Sequence, residues 1–159
     1  MTQILNADLS NPRHAAAIVE LLNGYAMDAM GGGQPLTDFA KTNLVAALAK
    51  RSDVHVVLAF AGEQPAGLAI CIEGFSTFAC QPLLNIHDLA VAKAFRGLGI
   101  SKLLMQQVEL VATALGCCKI TLEVLEHNLP AQALYKASGF AGYELNPAMG
   151  KAMLLQKKL

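Results

Sequence analysis

The stretch from Asp88 to Lys102 constrains this chain more than any other, because it feeds a strand into a helix through two glycines. Leu83 to Val91 has the apolar, β-rich character of a buried strand, and Ala94 to Gly97 breaks it. From Ile100 to Leu115, the positions Ile100, Leu103, Leu104, Val108, Val111 and Leu115 fall on one helical stripe, with Gly116 placed to end the helix. Such a junction is an anion site. Free N–H groups at the helix start point outward, the helix dipole adds partial positive charge, and Gly97 and Gly99 let a phosphate reach the backbone. Arg96 and Lys102 add full charges nearby. An ordinary strand–helix connection needs only one glycine, so the second glycine and Arg96 favour phosphate.

Two common phosphate loops do not fit. A Walker A loop needs Gly-Lys-Ser/Thr at the helix start, whereas Ser101-Lys102 has the wrong order and spacing. A Rossmann fingerprint needs a third glycine where Lys102 stands, and Glu123 on the next strand sits in the wrong glycine pattern.

The remaining segments predict a mixed sheet. Residues 3–6, Val54–Ala61, Ala66–Glu73, Lys119–Leu125, Phe140–Leu145 and Ala152–Lys157 carry strand patterns, with a tight turn at Gly62-Glu63-Gln64-Pro65. Helical spacing runs from Arg13 to about Met30 on Ala17, Ile18, Leu21, Leu22 and Tyr25, and Gly31-Gly32-Gly33-Gln34-Pro35 stops it. A second helix follows Thr37, and Pro130 opens a short one that ends at Gly139. The order β-α-α-β-β-β-α-β-α-β-β describes one α/β domain over residues 1–159.

Composition narrows the function classes. Twelve basic and twelve acidic residues leave no net charge and no basic stripe, which argues against a nucleic-acid partner. The chain is 54% hydrophobic, yet no apolar run reaches the roughly 18–20 residues of a membrane helix, and no leader is visible. The expectation is a cytoplasmic protein with no membrane partner, apolar enough to leave room for a homodimer. Cys71, Cys80, Cys117 and Cys118 lack zinc spacing, so buried reduced thiols and no metal are expected.

Arg96-x-x-Gly99-x-Ser101 resembles the acyl-CoA pyrophosphate loop of the GNAT N-acetyltransferase superfamily, Arg/Gln-x-x-Gly-x-Gly/Ala. Asn128-x-x-Ala131-x-x-Leu134-Tyr135-x-x-x-Gly139-Phe140 matches that superfamily's second motif, in the same order and at the same separation. Ser101 departs from the usual Gly or Ala, but it is small and can donate a hydrogen bond to phosphate. The resemblance implies a mostly antiparallel seven-stranded sheet with about four helices, splayed at its central strands to hold acetyl-CoA. It also implies roles. Leu89, Ala90 and Val91 would pair with the pantetheine arm, and the N–H of Leu89 would polarise the thioester carbonyl. Backbone N–H groups from Arg96 through Gly97, Leu98, Gly99, Ile100 and Ser101 to Lys102 would hold the pyrophosphate. Asn128 would bond the CoA arm, and Tyr135 would protonate the departing thiolate.

The strand Asn85-Ile86-His87-Asp88-Leu89-Ala90-Val91 is similar to the Glu-Asp-Leu-x-Val segment of the diamine (spermidine/spermine and thialysine) branch, as Phe75-Ser76-Thr77-Phe78 is to its upstream loop. His87 replaces that branch's glutamate, and Asp88 is retained. A neutral imidazole titrates near the pH a general base requires, so His87 and Asp88 are both candidates. Strand alternation turns them to opposite faces. The leading expectation is acetyl transfer to the primary amine of a small molecule by direct attack in a ternary complex. Transfer to a protein or peptide amine, and a non-catalytic acyl-CoA sensor, are the alternatives.

Overall fold

The computed structural model describes every residue of the chain except Leu145. In chain order the elements are β1 (Thr2–Asn6), α1 (Pro12–Ala26), α2 (Asp38–Ala49), β2 (Val54–Ala61), β3 (Gln64–Ser76), β4 (Gln81–Val91), α3 (Ile100–Ala114), β5 (Ile120–Leu122) and α4 (Leu129–Ala137). Short 3-10 turns occupy Ala29–Gly31, Lys93–Phe95 and Pro147–Met149.

Local chemistry sets the helix ends. Asn11 caps α1 by accepting from the Arg13 N–H, and Pro12 opens the first turn, where its missing donor costs nothing. Thr37 caps α2 through the Ala40 N–H at 3.1 Å. Asn128 caps α4 through the Ala131 N–H at 3.3 Å. Of the four α-helices among the described residues, α3 alone starts without a side-chain cap, on Gly99 at φ 76°.

The sheet runs β1-β2-β3-β4-β5, antiparallel through β4 and parallel between β4 and β5. One face packs on α3 through Val57, Ala59, Ala69, Leu84 and Ile86 against Ile100, Leu104, Met105 and Val108. The other packs on α1 through Val56, Leu58, Phe60, Leu68 and Ile70 against Ala17, Ile18 and Leu21. Each fully buried aliphatic chain among these contributes roughly 1.5–3 kcal/mol relative to exposure. Gly67 allows α3 to sit low on the sheet. A Cβ there would stand 2.9 Å from the Ala90 carbonyl oxygen, 3.0 Å from Leu104 Cδ1 and 3.3 Å from Ile100 Cγ2.

Strand β4 departs from regular pairing in two places. Its register with β3 slips between Ile70 and Cys71, so that Ile70 faces Asp88, Cys71 faces Ile86, and His87 is the extra, unpaired residue of a bulge. Its pairing with β5 stops at Ile86↔Leu122, leaving the outer edge from His87 to Val91 without a strand partner.

The seven strands expected from the sequence are corrected to five among the described residues. Of Phe140–Leu145, the residues up to Glu144 form no strand and Leu145 lies outside the described residues; Ala152–Lys157 forms none. Ala152 N–H meets the Tyr143 carbonyl at 3.3 Å, the one backbone hydrogen bond between these two segments among the described residues. Gly142 and Gly150 pack no side chain, Pro147 donates nothing, and the three-residue β5 offers a short edge to build on. The cysteines also depart from expectation. All four are free, but only Cys71 is buried, whereas Cys80 and Cys118 are exposed. Among the described residues, no helix is long and apolar enough to cross a membrane.

Candidate active site

Glycine conformation shapes the turn at the head of α3. Gly97 and Gly99 lie at φ 79° and 76°, the left-handed region that costs other residues roughly 1–2 kcal/mol. None of the N–H groups from Gly97 to Ser101 donates to a backbone carbonyl, and Gly99 supplies no side-chain acceptor. Five consecutive donors are therefore without a backbone acceptor at the positive end of the α3 dipole, and Gly97, Gly99, Ile100 and Ser101 border one cavity.

That cavity has a volume of about 420 Å³. Its walls are Leu89, Ala90 and Val91 of β4, then Arg96, Gly97, Gly99, Ile100 and Ser101, and opposite them Asn128, Pro130, Ala131, Leu134 and Tyr135. Tyr25, Asp28 and Met30 close it from the end of α1. The β4 backbone offers it hydrogen-bonding groups. Ala92 N–H bonds the Ala66 carbonyl across to β3, so strand alternation turns the N–H and C=O groups of Leu89 and Val91 the other way, into the gap. The Val91 carbonyl does face outward, because it accepts from Arg96 Nε at 3.1 Å.

Most residues expected from the sequence meet here, but not all. Leu98 and Lys102 are exposed and do not line the cavity. Arg96 lines it, yet its Nη2 is committed to Asp28 Oδ2 at 2.8 Å. The Oδ1 of Asn128 is taken by its capping role.

Tyr135 is held by the way α4 ends. Gly139 turns left-handed at φ 86°, its N–H bonds the Lys136 carbonyl, and Phe140 N–H bonds the Tyr135 carbonyl at 2.9 Å. This is a Schellman ending, and the Phe140 ring packs 6.0 Å from that of Tyr135. The Gly139-Phe140 pair of the sequence motif thus fixes Tyr135 from behind. Burial, with a smaller contribution from Tyr25, pushes the Tyr135 phenol above its ordinary value of 10.0.

A second cavity of about 330 Å³ adjoins the first, sharing Tyr25, Met30, Leu89, Asn128, Ala131 and Tyr135. His87, Glu123 and Val124 belong to the second alone. Of the two candidate bases, the bulge brings exposed His87 onto this wall, whereas half-buried Asp88 lines neither cavity. Burial raises the Asp88 carboxyl above 3.8, opposed by the neighbouring His87. Among the described residues, no group of three His, Cys, Asp or Glu could hold a metal ion.

Sequence reasoning missed Tyr25, Asp28 and Met30. Tyr25 sat on the apolar stripe of α1 and passed for core. Burial, then Asp88, then Asp28, raise its phenol above 10.0.

The sheet opens beside β4, and an uncapped glycine turn stands at the head of α3. The chain belongs to the acetyltransferase (GNAT) family, whose profile matches residues 18–140. It is 34% identical over 82 residues to a thialysine N-epsilon-acetyltransferase of Caenorhabditis elegans, a match that covers 52% of this chain and 51% of the relative. This chain thus aligns with about half the length of that curated relative. A crystal structure of a probable acetyltransferase superposes with TM-score 0.82 at 19% identity, over 98% of both chains. An aminoglycoside acetyltransferase from an uncultured soil metagenomic sample gives 0.79 at 16% identity, over 99% of this chain and 96% of that one. At such identities the two structures establish the fold alone.

Proposed function

We propose that this chain transfers the acetyl group of acetyl-CoA to the primary amine of a small molecule, by direct attack in a ternary complex. The observation that carries this reading is the meeting of two cavities at Tyr135, one of them leading to the free N–H groups of α3. The larger takes the donor. Gly97 to Ser101 grip the pyrophosphate, and the outward groups of Leu89 and Val91 continue the sheet onto the pantetheine arm. Arg96 contributes through Asp28, and Lys102 only as distant charge.

The smaller cavity takes the acceptor. The amine nitrogen attacks the thioester carbonyl carbon, whose oxygen accepts a hydrogen bond from the Leu89 N–H as it becomes anionic. The C–S bond then breaks, and the sulfur takes the proton of the Tyr135 hydroxyl. The amine loses its proton to His87, directly or through water, because His87 lies on that wall and Asp88 does not.

A cavity of about 330 Å³ suits a small amine. The names of the nematode thialysine enzyme and of the soil aminoglycoside enzyme fit the same class. With histidine where the diamine branch has glutamate, the site offers less negative charge to a polycation. Competing thialysine, spermidine, an aminoglycoside and a short peptide in one assay tests the reading. Turnover fastest with the small monoamine side chain is expected; preference for the peptide would transfer the proposal to protein acetylation, and dominance of spermidine would refute the charge argument.

A further inference from the structure

Acetyl transfer leaves the run Gly31-Gly32-Gly33-Gln34-Pro35 unexplained. Three successive glycines suit either a mobile lid or a plain connector, and the structure supports neither. Gly31 has no room for a side chain, since a Cβ would meet the Tyr25 carbonyl oxygen at 1.9 Å. The loop folds back on α1, with Gln34 N–H on the Ala26 carbonyl and Leu36 N–H on Asn23 Oδ1 at 3.0 Å. Asp28 organises the turn. Its carbonyl accepts from Gly31 N–H at 2.8 Å and Gly33 N–H at 3.0 Å, and its Oδ1 accepts from Met30 N–H at 3.3 Å.

The remaining carboxylate oxygen of Asp28 reaches 68 residues along the chain to Arg96 at 2.8 Å, and Arg96 is in turn anchored to the Val91 carbonyl. The Asp28 side chain is 17% exposed and that of Arg96 50%, so the pair is partly open to water and matters here for the two segments it joins. Arg96 holds the Asp28 carboxyl below its ordinary 3.8, and the pair stays charged at neutral pH. One ion pair therefore joins two walls of the larger cavity, from the turn that follows Tyr25 and carries Met30 to the loop that carries the free N–H groups.

We infer that Asp28 is a positioning residue that locks the Tyr25–Met30 wall to the pyrophosphate loop, so that filling the donor site orders the acceptor site. This rests on the acyl-CoA reading of the larger cavity. A phosphate held on Gly97 to Ser101 immobilises the loop that carries Arg96, and the bridge passes that restraint to the turn. Reciprocity then requires the acceptor to tighten donor binding by the same factor.

Hydrogen–deuterium exchange on the full chain, with and without CoA, tests this at residues 97–101 and 28–34. In the unmodified protein, CoA slows both segments, the second by about tenfold, within the usual range of coupling between sites. Asp28→Asn keeps an oxygen to cap the turn but removes the charge, and Arg96→Gln breaks the bridge from the other side. In Asp28→Asn, residues 97–101 keep their CoA protection while the CoA-induced slowing at 28–34 falls below about twofold. A bridge that merely stabilised the turn would speed exchange there equally with and without CoA, leaving the slowing intact; that result overturns the inference. Should Arg96→Gln abolish CoA binding, Asp28→Asn decides alone. If CoA protects 97–101 in the unmodified protein but never 28–34, the coupling fails and the acyl-CoA reading stands; if it protects neither, both fail.

Discussion

In the proposed reaction Tyr135 and His87 divide the proton traffic, and each carries a separable expectation. Replacing His87 with Ala should remove the proposed proton acceptor from the wall of the smaller cavity. The acidic limb of the kcat/KM–pH profile is then expected to flatten, and a profile identical to that of the unmodified protein would exclude His87 as the base. Asp88 has a different expectation, because its pKa is raised, chiefly by burial. A folded-state value above the unfolded 3.8 means that the fold holds the proton more tightly. Stability contributed by that proton is full below 3.8 and is lost as pH rises through the folded value. Asp88→Asn removes this loss, so its melting temperature should exceed that of the unmodified protein at pH 7, with the gap closing toward pH 3.8. A constant gap across that range would contradict the assignment. At this scale the sequence was half legible. Asn128 and Tyr135 stood out because both sit in a spaced motif. Tyr25 did not, since a phenol on an α-helical apolar stripe looks like core until the sheet behind it is seen to open. Asp28 was invisible, because its partner Arg96 lies 68 residues away and ion-pair partners leave no periodic signal.

Among the elements, α3 links packing to chemistry. Its first turn must lie close to β4 for the N–H groups to face the gap, and Gly67 makes that approach possible. In Gly67→Ala, the new methyl would press on the Ala90 carbonyl, on Leu104 and on Ile100, the first residue of the helix. Overpacking of this kind typically costs about 1–3 kcal/mol. CoA affinity should fall together with thermal stability, as read by calorimetry and by melting; loss of stability with unchanged CoA affinity would show that the depth of α3 does not position the site. The helix itself was plain in the sequence, where six apolar residues in one stripe ended at a glycine, and the structure shifts its end by one residue, to Ala114. The β4 bulge was not. An extra residue in a strand changes the facing of every side chain beyond it, yet nothing in the local pattern Ile86-His87-Asp88-Leu89 marks which residue is extra.

Over the whole molecule, the sheet works because it is incomplete. Parallel pairing of β4 with β5 ends after three residues, and the unsatisfied edge beyond it is the proposed donor site. The two core clusters pack against opposite faces of the sheet that carries this edge. The element order was legible up to β5 because alternation and glycine turns agree there. The two C-terminal strands were over-read, since short apolar runs such as Met153-Leu154-Leu155 alternate no better than a tail does. Leu154 nevertheless reaches the wall of the smaller cavity, so this segment borders the proposed acceptor site without forming a strand. The claim that unites these scales is that free N–H groups, an open strand edge and one phenol together move an acetyl group. Release of free thiol from acetyl-CoA, followed with and without thialysine in the unmodified protein and in Tyr135→Phe, tests it most directly. The expected result is amine-dependent release that falls by about 10²-fold in Tyr135→Phe while the KM for acetyl-CoA changes little. CoA binding with no amine-dependent release across the panel would contradict it, and would make the chain an acyl-CoA sensor.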